Sequence, residues 1–384
     1  MIPRLGITLG DPAGVGAEVI LKALADRGRA AFAPLVIGDL ATLRDTAARL
    51  KLGADIVPIG AAELALTPHA REARVIRVLA DGALSPRARR PGRPTLEGGA
   101  ASYRYIETAV RLARSGAIAA IVTAPINKAS VSRAGHPISG HTELLQSLTG
   151  AREVRMMLAG ARLRVVLVTT HIALGAVPAA LSTRAITRTI IIAHEHLRRY
   201  HRLSRPRLAV AGLNPHAGEH GLFGSEEAVI IAPAIRRAAQ AGAAATGPHP
   251  ADSLFFRAAA GEFDAVISMY HDQGLIPLKL LHFHDAVNVT LGLPIVRTSP
   301  DHGTAYDIAG RDLADPGSMA AALALAARMA TRGTRDGAER SRFDNDRAAG
   351  RAAPRSRASR AHERAPAADA RRSRATVARR RHAR

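Results

Sequence analysis

Short apolar runs alternate with longer stretches whose apolar residues recur at helical spacing, and this alternation organises the chain up to about residue 330. The runs predict strands at Leu5–Leu9, Leu35–Ile37, Val75–Leu79, Ile118–Val122, Arg164–Thr169, Leu208–Leu213, Ala265–Tyr270 and Val287–Leu291. Between them, Ala17–Ala25, Ala100–Arg114, Thr183–Tyr200 and Ser225–Ala241 predict helices. Strand–helix alternation of this kind implies an α/β architecture with a largely parallel sheet. Ser85–Gly98, rich in Pro, Arg and Gly, reads as a loop. From Thr331 the pattern stops: Arg, Ala and Ser dominate, Phe343 is the one aromatic, and no apolar face recurs. Such a segment cannot bury enough surface to offset chain entropy, so 331–384 is expected to be a disordered tail.

Composition narrows the class. Hydrophobic residues make up 47% of 384, enough for sizeable cores, while aromatics are 3% and tryptophan is absent. The core must therefore be built from Ala, Val, Leu and Ile. With no cysteine, disulfides and thiolate ligands are excluded, and a transition metal would have to be held by His, Asp or Glu. No signal-peptide pattern opens the chain, and no apolar run reaches the ~18 residues of a membrane span. A cytoplasmic protein without membrane segments is the expectation. The formal net charge is +22, but Thr331–Arg384 carries half of it, with 17 Arg against 6 acidic residues. The remaining body is mildly basic without a concentrated stripe, which suits an anionic substrate.

Four stretches carry candidate chemistry. Gly10-Asp-Pro-Ala-Gly-Val-Gly-Ala-Glu18 follows a strand and runs into a helix. Its glycines allow positive φ and close backbone approach, and the helix offers free N–H groups to an anion. It is neither the dinucleotide fingerprint nor a P-loop, and a turn needing glycine only for packing is the simpler alternative. Three histidines, His171, His216 and His271, each follow an apolar strand, where parallel sheets gather ligands. Singly, each has an ordinary structural explanation; together they suit a divalent metal with open positions, with Asp252 and Asp272 as supporting groups or further ligands. Ser139-Gly-His-Thr-Glu143, preceded by Thr123-Ala-Pro-Ile-Asn-Lys128, offers His141 and Thr142 to a phosphate or carboxylate; a helix start capped by Ser139 or Thr142 is the competing reading. Finally, Lys279, Asn288 and Arg297 lead to His302-Gly-Thr-Ala-Tyr-Asp-Ile-Ala-Gly310, with Lys279 and Arg297 as cations placed near strand ends.

Taken in order, GDPAGVGAE at Gly10, SGHTE at Ser139, NPHAGE at Asn214, PADSLF at Pro250, YHDQG at Tyr270 and NVTLGLPIVRTSPDHGTAYDIAG at Asn288 resemble the 4-hydroxythreonine-4-phosphate dehydrogenases over roughly Ile2 to Ala330. The resemblance implies the isocitrate and isopropylmalate dehydrogenase fold, with two α/β subdomains (1–125 plus 275–330, and 126–274). It also implies a homodimer with the active site at the interface. It assigns the metal, Zn, Co or Mg, to His171, His216 and His271, and the substrate to His141, Thr142, Lys279, Asn288 and Arg297. His302–Gly310 resembles the loop that holds the adenosine part of NAD in isopropylmalate dehydrogenases. The cofactor, NAD or NADP, is accordingly expected near Gly10, Asp11, Gly14, His302, Gly303 and Asp307. The implied reaction is oxidation of 4-phosphohydroxy-L-threonine at C3 followed by loss of CO2. Lys279, Asp252 and Asp272 are the candidates for moving the hydroxyl proton.

Two departures stand out. Ala17 replaces a proline usual in the opening motif, and the tail extends beyond the usual end of the family. A sister enzyme oxidising D-threonate or D-erythronate 4-phosphate would share these motifs. A metal hydrolase or aldolase is a further alternative, against which the HGTAYDIAG segment stands. Nucleic-acid binding through the tail is an alternative of another class, opposed by the lack of interleaved aromatics. Truncation after about Thr331 should leave folding and specific activity unchanged; a large fall in activity of the shortened chain would refute this.

Overall fold

The computed structural model describes residues 2–25, 31–66 and 74–332; the expected tail lies outside them except for 331–332, which extend the last helix. Met1–Ala338 forms one compact unit by internal contact. Its strands in chain order are β1 (Arg4–Thr8), β2 (Ala33–Gly38), β3 (Asp55–Ile59), β4 (Val75–Ala80), β5 (Ala120–Thr123) and β6 (Arg155–Ala159). They continue as β7 (Arg164–Leu167), β8 (Leu208–Ala211), β9 (Ala245–His249), β10 (Ala265–Ser268), β11 (Val287–Leu291) and β12 (Arg297–Pro300). All join one sheet in the order β3-β4-β2-β1-β5-β12-β11-β6-β7-β10-β8-β9.

The sheet is parallel on both flanks, as the alternating pattern predicts, and mixed at its centre. There β11 runs antiparallel to both β12 and β6, and β6 runs antiparallel to β7. Central parallel strands are covered on both faces, so they read as continuous apolar runs. All residues of β1, β5, β8 and β10 are buried. Small side chains are forced where layers approach: a Cβ on Gly6 would stand 2.4 Å from Ile118 Cδ1.

Four strands fall outside the expected set, three of them for identifiable reasons. β3 and β9 are the two edges of the sheet, where Pro58 and Pro248 are tolerated because one row of N–H groups has no ladder partner. β6 (RMMLA) is as apolar as β7 (RVVL), and nothing in its composition explains why it was missed. β12 (RTSP) is polar yet entirely buried. Helix starts follow local chemistry: Asp39, Thr95, Asn127 and Ser182 each accept a hydrogen bond from the backbone N–H three residues on. Thr95 starts its helix at Leu96, inside the stretch read as a loop. The expected helix Ser225–Ala241 begins as a wide turn, Glu227–Ile231, before becoming regular over Ala232–Gln240.

Helix Thr183–His201 packs its buried stripe, including Ile186, Ile190, Ala193 and Leu197, on the sheet. The same stripe contains His196, which stacks 4.9 Å from Tyr200 and 5.7 Å from His201. Burial lowers the pKa of both histidines, with further contributions from each other's neighbourhood, including Arg199 and Arg164; His201 falls to about 4. The unfolded chain therefore binds more protons than the folded one between those depressed values and about 6.5, and stability is lost as pH falls through that window. The thermal midpoint should drop between pH ~6.5 and ~4, and His196→Gln should flatten that slope; an unchanged slope would refute the assignment.

Candidate active site

The ladder between β7 and β10 continues past both strands, with Val168 N donating to Ser268 O (2.9 Å) and Thr169 N to Met269 O (3.2 Å). This brace brings the residues that follow each strand side by side. His171 and His271 consequently lie with ring centroids 5.4 Å apart. His271 opens helix His271–His282, and its Nδ1 is 2.8 Å from Asp272 Oδ1, which leaves Nε2 directed elsewhere. Gln273 ties this helix to the end of β8: its side chain donates to Gly212 O (2.7 Å) and accepts from Met269 N (2.7 Å).

Beside the histidine pair lies a cavity of about 320 Å³. It gathers His141, Thr142, His171, His271, Lys279, Asn288, Arg297, His302 and Gly303 from across the sequence. Arg297, 2% exposed, is the first residue of β12. Its guanidinium donates to Thr123 Oγ1 (2.8 Å) and Thr290 Oγ1 (2.9 Å) and to no carboxylate among the described residues. Burial lowers its pKa to about 10, so the group stays a cation, while Glu143 acts in the opposite sense. His141 begins helix His141–Thr149 with Gly140 as its cap, and neither Ser139 nor Thr142 caps it. Burial first, then Arg297 and Lys128, hold the His141 imidazole well below its usual pKa, hence neutral. His141 Nε2, Asn288 Oδ1 and His302 Nε2 are buried without hydrogen-bond partners. Unpaired buried polar atoms are costly, so three of them around one cavity indicate groups awaiting a polar ligand.

Lys279 lies on helix His271–His282, not at a strand end, and pairs with Asp301 at 2.9 Å. Asp272 is exposed on His271, and Asp252 is exposed in the first turn of helix Ala251–Ala259; neither lines the cavity. His216 also stands apart. It sits in a turn after β8 in which His216, Ala217, Glu219 and His220 all have left-handed φ, between 42° and 55°. The buried Glu227 holds that turn, accepting from Leu213 N and Asn214 N, both at 2.7 Å. Among the described residues, no group of three ligating side chains forms within this chain. The paired imidazoles fit the donor chemistry of a divalent metal, and one chain supplies two of the three expected.

The opening glycine turn packs directly against 302–310. Val15 N donates to Thr304 O (3.0 Å), and a Cβ on Gly14 would lie 3.0 Å from that same oxygen. Gly10, at φ 74°, would place a Cβ 2.3 Å from Pro125 O. Asp11 uses both oxygens internally, accepting from Ala13 N (2.9 Å) and Tyr306 OH (2.8 Å). Burial raises its pKa despite these two bonds. His302 and Gly303 face the cavity, whereas Asp307 is exposed and off it. Lys128, Glu143 and Asp301, to which the sequence motifs assign no role, also line the cavity. Lys128 opens the helix Lys128–Arg133, which follows β5 after the turn that contains Pro125.

Comparison with known proteins identifies the family. The family model described as pyridoxal phosphate biosynthetic protein PdxA matches residues 30–326. A 4-hydroxythreonine-4-phosphate dehydrogenase of Desulfosudis oleivorans is 51% identical, covering 84% of this chain and 95% of its own. A D-threonate 4-phosphate dehydrogenase of Salmonella typhimurium is 45% identical over 85% and 98% of the two chains. The crystal structure of a Klebsiella pneumoniae 4-hydroxythreonine-4-phosphate dehydrogenase superposes with TM-score 0.78 at 43% identity, covering 86% of this chain and 98% of that one. This chain is therefore a dehydrogenase that belongs to the PdxA family of pyridoxal phosphate biosynthetic proteins.

Proposed function

We propose that the enzyme oxidises 4-phosphohydroxy-L-threonine at C3 with NAD, giving 2-amino-3-oxo-4-phosphooxybutanoate, which loses CO2 to form 3-amino-2-oxopropyl phosphate. The observation that carries this reading is the buried, carboxylate-free Arg297 beside the unpaired His141 and Asn288. A fully buried cation is stable only when an anion or a dense set of hydrogen bonds compensates it. A phosphate or carboxylate of the substrate supplies that compensation.

A divalent ion held by His171 and His271 would supply Lewis acidity to the C3 hydroxyl, and the nicotinamide would accept the hydride from the C3 carbon. The chain's own groups do the rest. Arg297, His141 and Thr142 hold the anionic ends, fixing C3 in one orientation. Asn288 accepts from a donor on the substrate through its free Oδ1. Lys279 lines the cavity while Asp252 and Asp272 do not, so we assign to its Nζ the transfer of the C3 hydroxyl proton. Asp301 orients that amine. The second reading, a D-threonate 4-phosphate dehydrogenase, is favoured by the 45% identical relative. It differs only in the substituent at C2.

The same reading takes the enzyme as a homodimer whose partner supplies His216. Exposed apolar side chains flank each metal histidine: Ile172 and Leu174 after His171, Leu222 and Phe223 after His216, and Ile276, Leu280 and Phe283 near His271. Leu222 and Leu280 are 73% and 82% exposed. Clustered exposure of this kind marks an interaction surface. The two-subdomain division, 1–125 plus 275–330 and 126–274, and the preference for NAD over NADP are part of this proposal.

NADH formation should follow 4-phosphohydroxy-L-threonine in preference to threonate and erythronate 4-phosphates, and a chelator should abolish it. No NADH from any of the three would overturn the assignment, and preference for a sugar-acid phosphate would favour the second reading. Arg297→Met removes a buried charged contact worth about 2–5 kcal/mol, so KM should rise at least ~30-fold; an unchanged KM would contradict the anion-binding role. Light scattering should give twice the chain mass, and mixing inactive His216→Ala with inactive His271→Ala should restore part of the activity. A monomer, or no restoration from a mixed dimer, would exclude a shared site.

A further inference from the structure

At the amino end of β7, the opposite end of that strand from His171, a second cavity of about 370 Å³ opens. Its wall carries Arg164, His201, Arg328 and Arg332 against a single carboxylate, Asp285. Asp285 already faces His282 Nδ1 at 3.1 Å. Arg164 reaches the carbonyl of Asp264 (3.2 Å), whose carboxylate is taken by Arg207 (3.0 Å). Arg332 donates to the carbonyl of Tyr200 (3.1 Å). Among the described residues, none of the three arginines has a carboxylate at ion-pair distance. Burial and then Arg332 lower the pKa of Arg328; burial lowers that of Arg164, Asp264 opposes the shift and Arg328 adds to it. The Nε2 of His201 is buried without a hydrogen-bond partner.

These groups come from three separate elements: β7, helix Thr183–His201 and helix 317–332. Ordinary surface arginines splay into water. Here they converge with an unpaired buried nitrogen, and the two acids nearby, Asp285 and Asp264, are each held by another partner, His282 and Arg207. The rest of the wall is apolar, from Ala159, Ala161, Ala321 and Leu325. Arg328 and Arg332 also line an adjoining cavity of about 610 Å³, together with Arg202, Phe32 and Leu323.

We propose that this cavity is a second anion site, separate from the catalytic cleft, which takes a phosphate group between Arg164, Arg328 and Arg332. Guanidinium groups suit phosphate because each presents parallel N–H donors to two oxygens. His201 adds a donor from the floor, and the alanine wall accommodates the carbon part of a small phosphate ester. The site makes no contact with His141 or Arg297, so binding there does not require the catalytic reading.

Calorimetric titration of the full chain with inorganic phosphate, at constant ionic strength, tests the proposal. His141→Ala, made to weaken phosphate binding in the catalytic cleft, should still bind about one phosphate per chain. Adding Arg328→Gln to that variant should weaken the remaining binding about tenfold or more, while Arg328→Gln alone should leave kcat/KM unchanged. Arg328 is solvent-exposed, so its replacement does not endanger the fold; Arg164→Gln, where folded by circular dichroism, should behave alike. Identical isotherms for His141→Ala and the double variant, or no binding to His141→Ala, would overturn the site. Glycerol 3-phosphate run beside phosphate separates the sources: tighter binding of the ester assigns the site to a metabolite, and equal affinity assigns it to free phosphate.

Discussion

The active cleft depends on keeping one charge inside the sheet. Arg297 stands at the start of β12, buried, with Thr123 from β5 and Thr290 from β11 as its hydrogen-bond partners. Two hydroxyls satisfy N–H groups without neutralising the cation. The uncompensated field is thereby conserved for whatever enters the cavity, and it adds to burial in keeping the neighbouring His141 neutral. A nearby carboxylate within contact distance would have quenched both effects. Glu143 lies on the cavity wall and acts on Arg297 through space, without forming an ion pair with it.

This constraint also explains which parts of the fold were legible in the chain. Strands β1, β5, β7, β8, β10 and β11 are apolar because helices or loops cover them, and their periodicity announced them. β12 was invisible for the opposite reason: its residues Arg, Thr, Ser and Pro were chosen by the cavity they line or support. The edge strands β3 and β9 were hidden by prolines that only an edge accepts. Of the candidate site, the His171–His271 pair was legible because each histidine closely follows a strand, whereas Lys279 lies within a helix and His141 and Thr142 open one. His216 follows the same rule of position, yet the turn after β8 carries it off the cavity. Strand-end placement fixes the edge of the sheet a residue occupies, but the conformation of the loop decides where its side chain goes.

That turn is unusual in its own right. Four consecutive L-residues other than glycine rarely share left-handed φ, and here four of the five residues 216–220 do so with Gly218 between them. Glu227 offsets the cost by collecting the N–H groups of Leu213 and Asn214 and the Asn214 amide. A Cβ on Gly218 would stand 2.8 Å from Glu227 Oε2, so the carboxylate and the turn leave no slack between them. The imidazole is thus presented outward on a backbone that side-chain rotation alone cannot redirect.

Asn288 and Ser299 pair directly across β11 and β12, and both face the cavity. This ladder is the seam where the two flanks of the sheet meet, the β3-to-β12 run on one side and the β11-to-β9 run on the other. Three residue pairs form it. Under the proposed function, a ligand held by Asn288 on one flank and Arg297 on the other would act as a strut across this short ladder. Ligand binding would then couple two halves of the sheet that three residue pairs otherwise join.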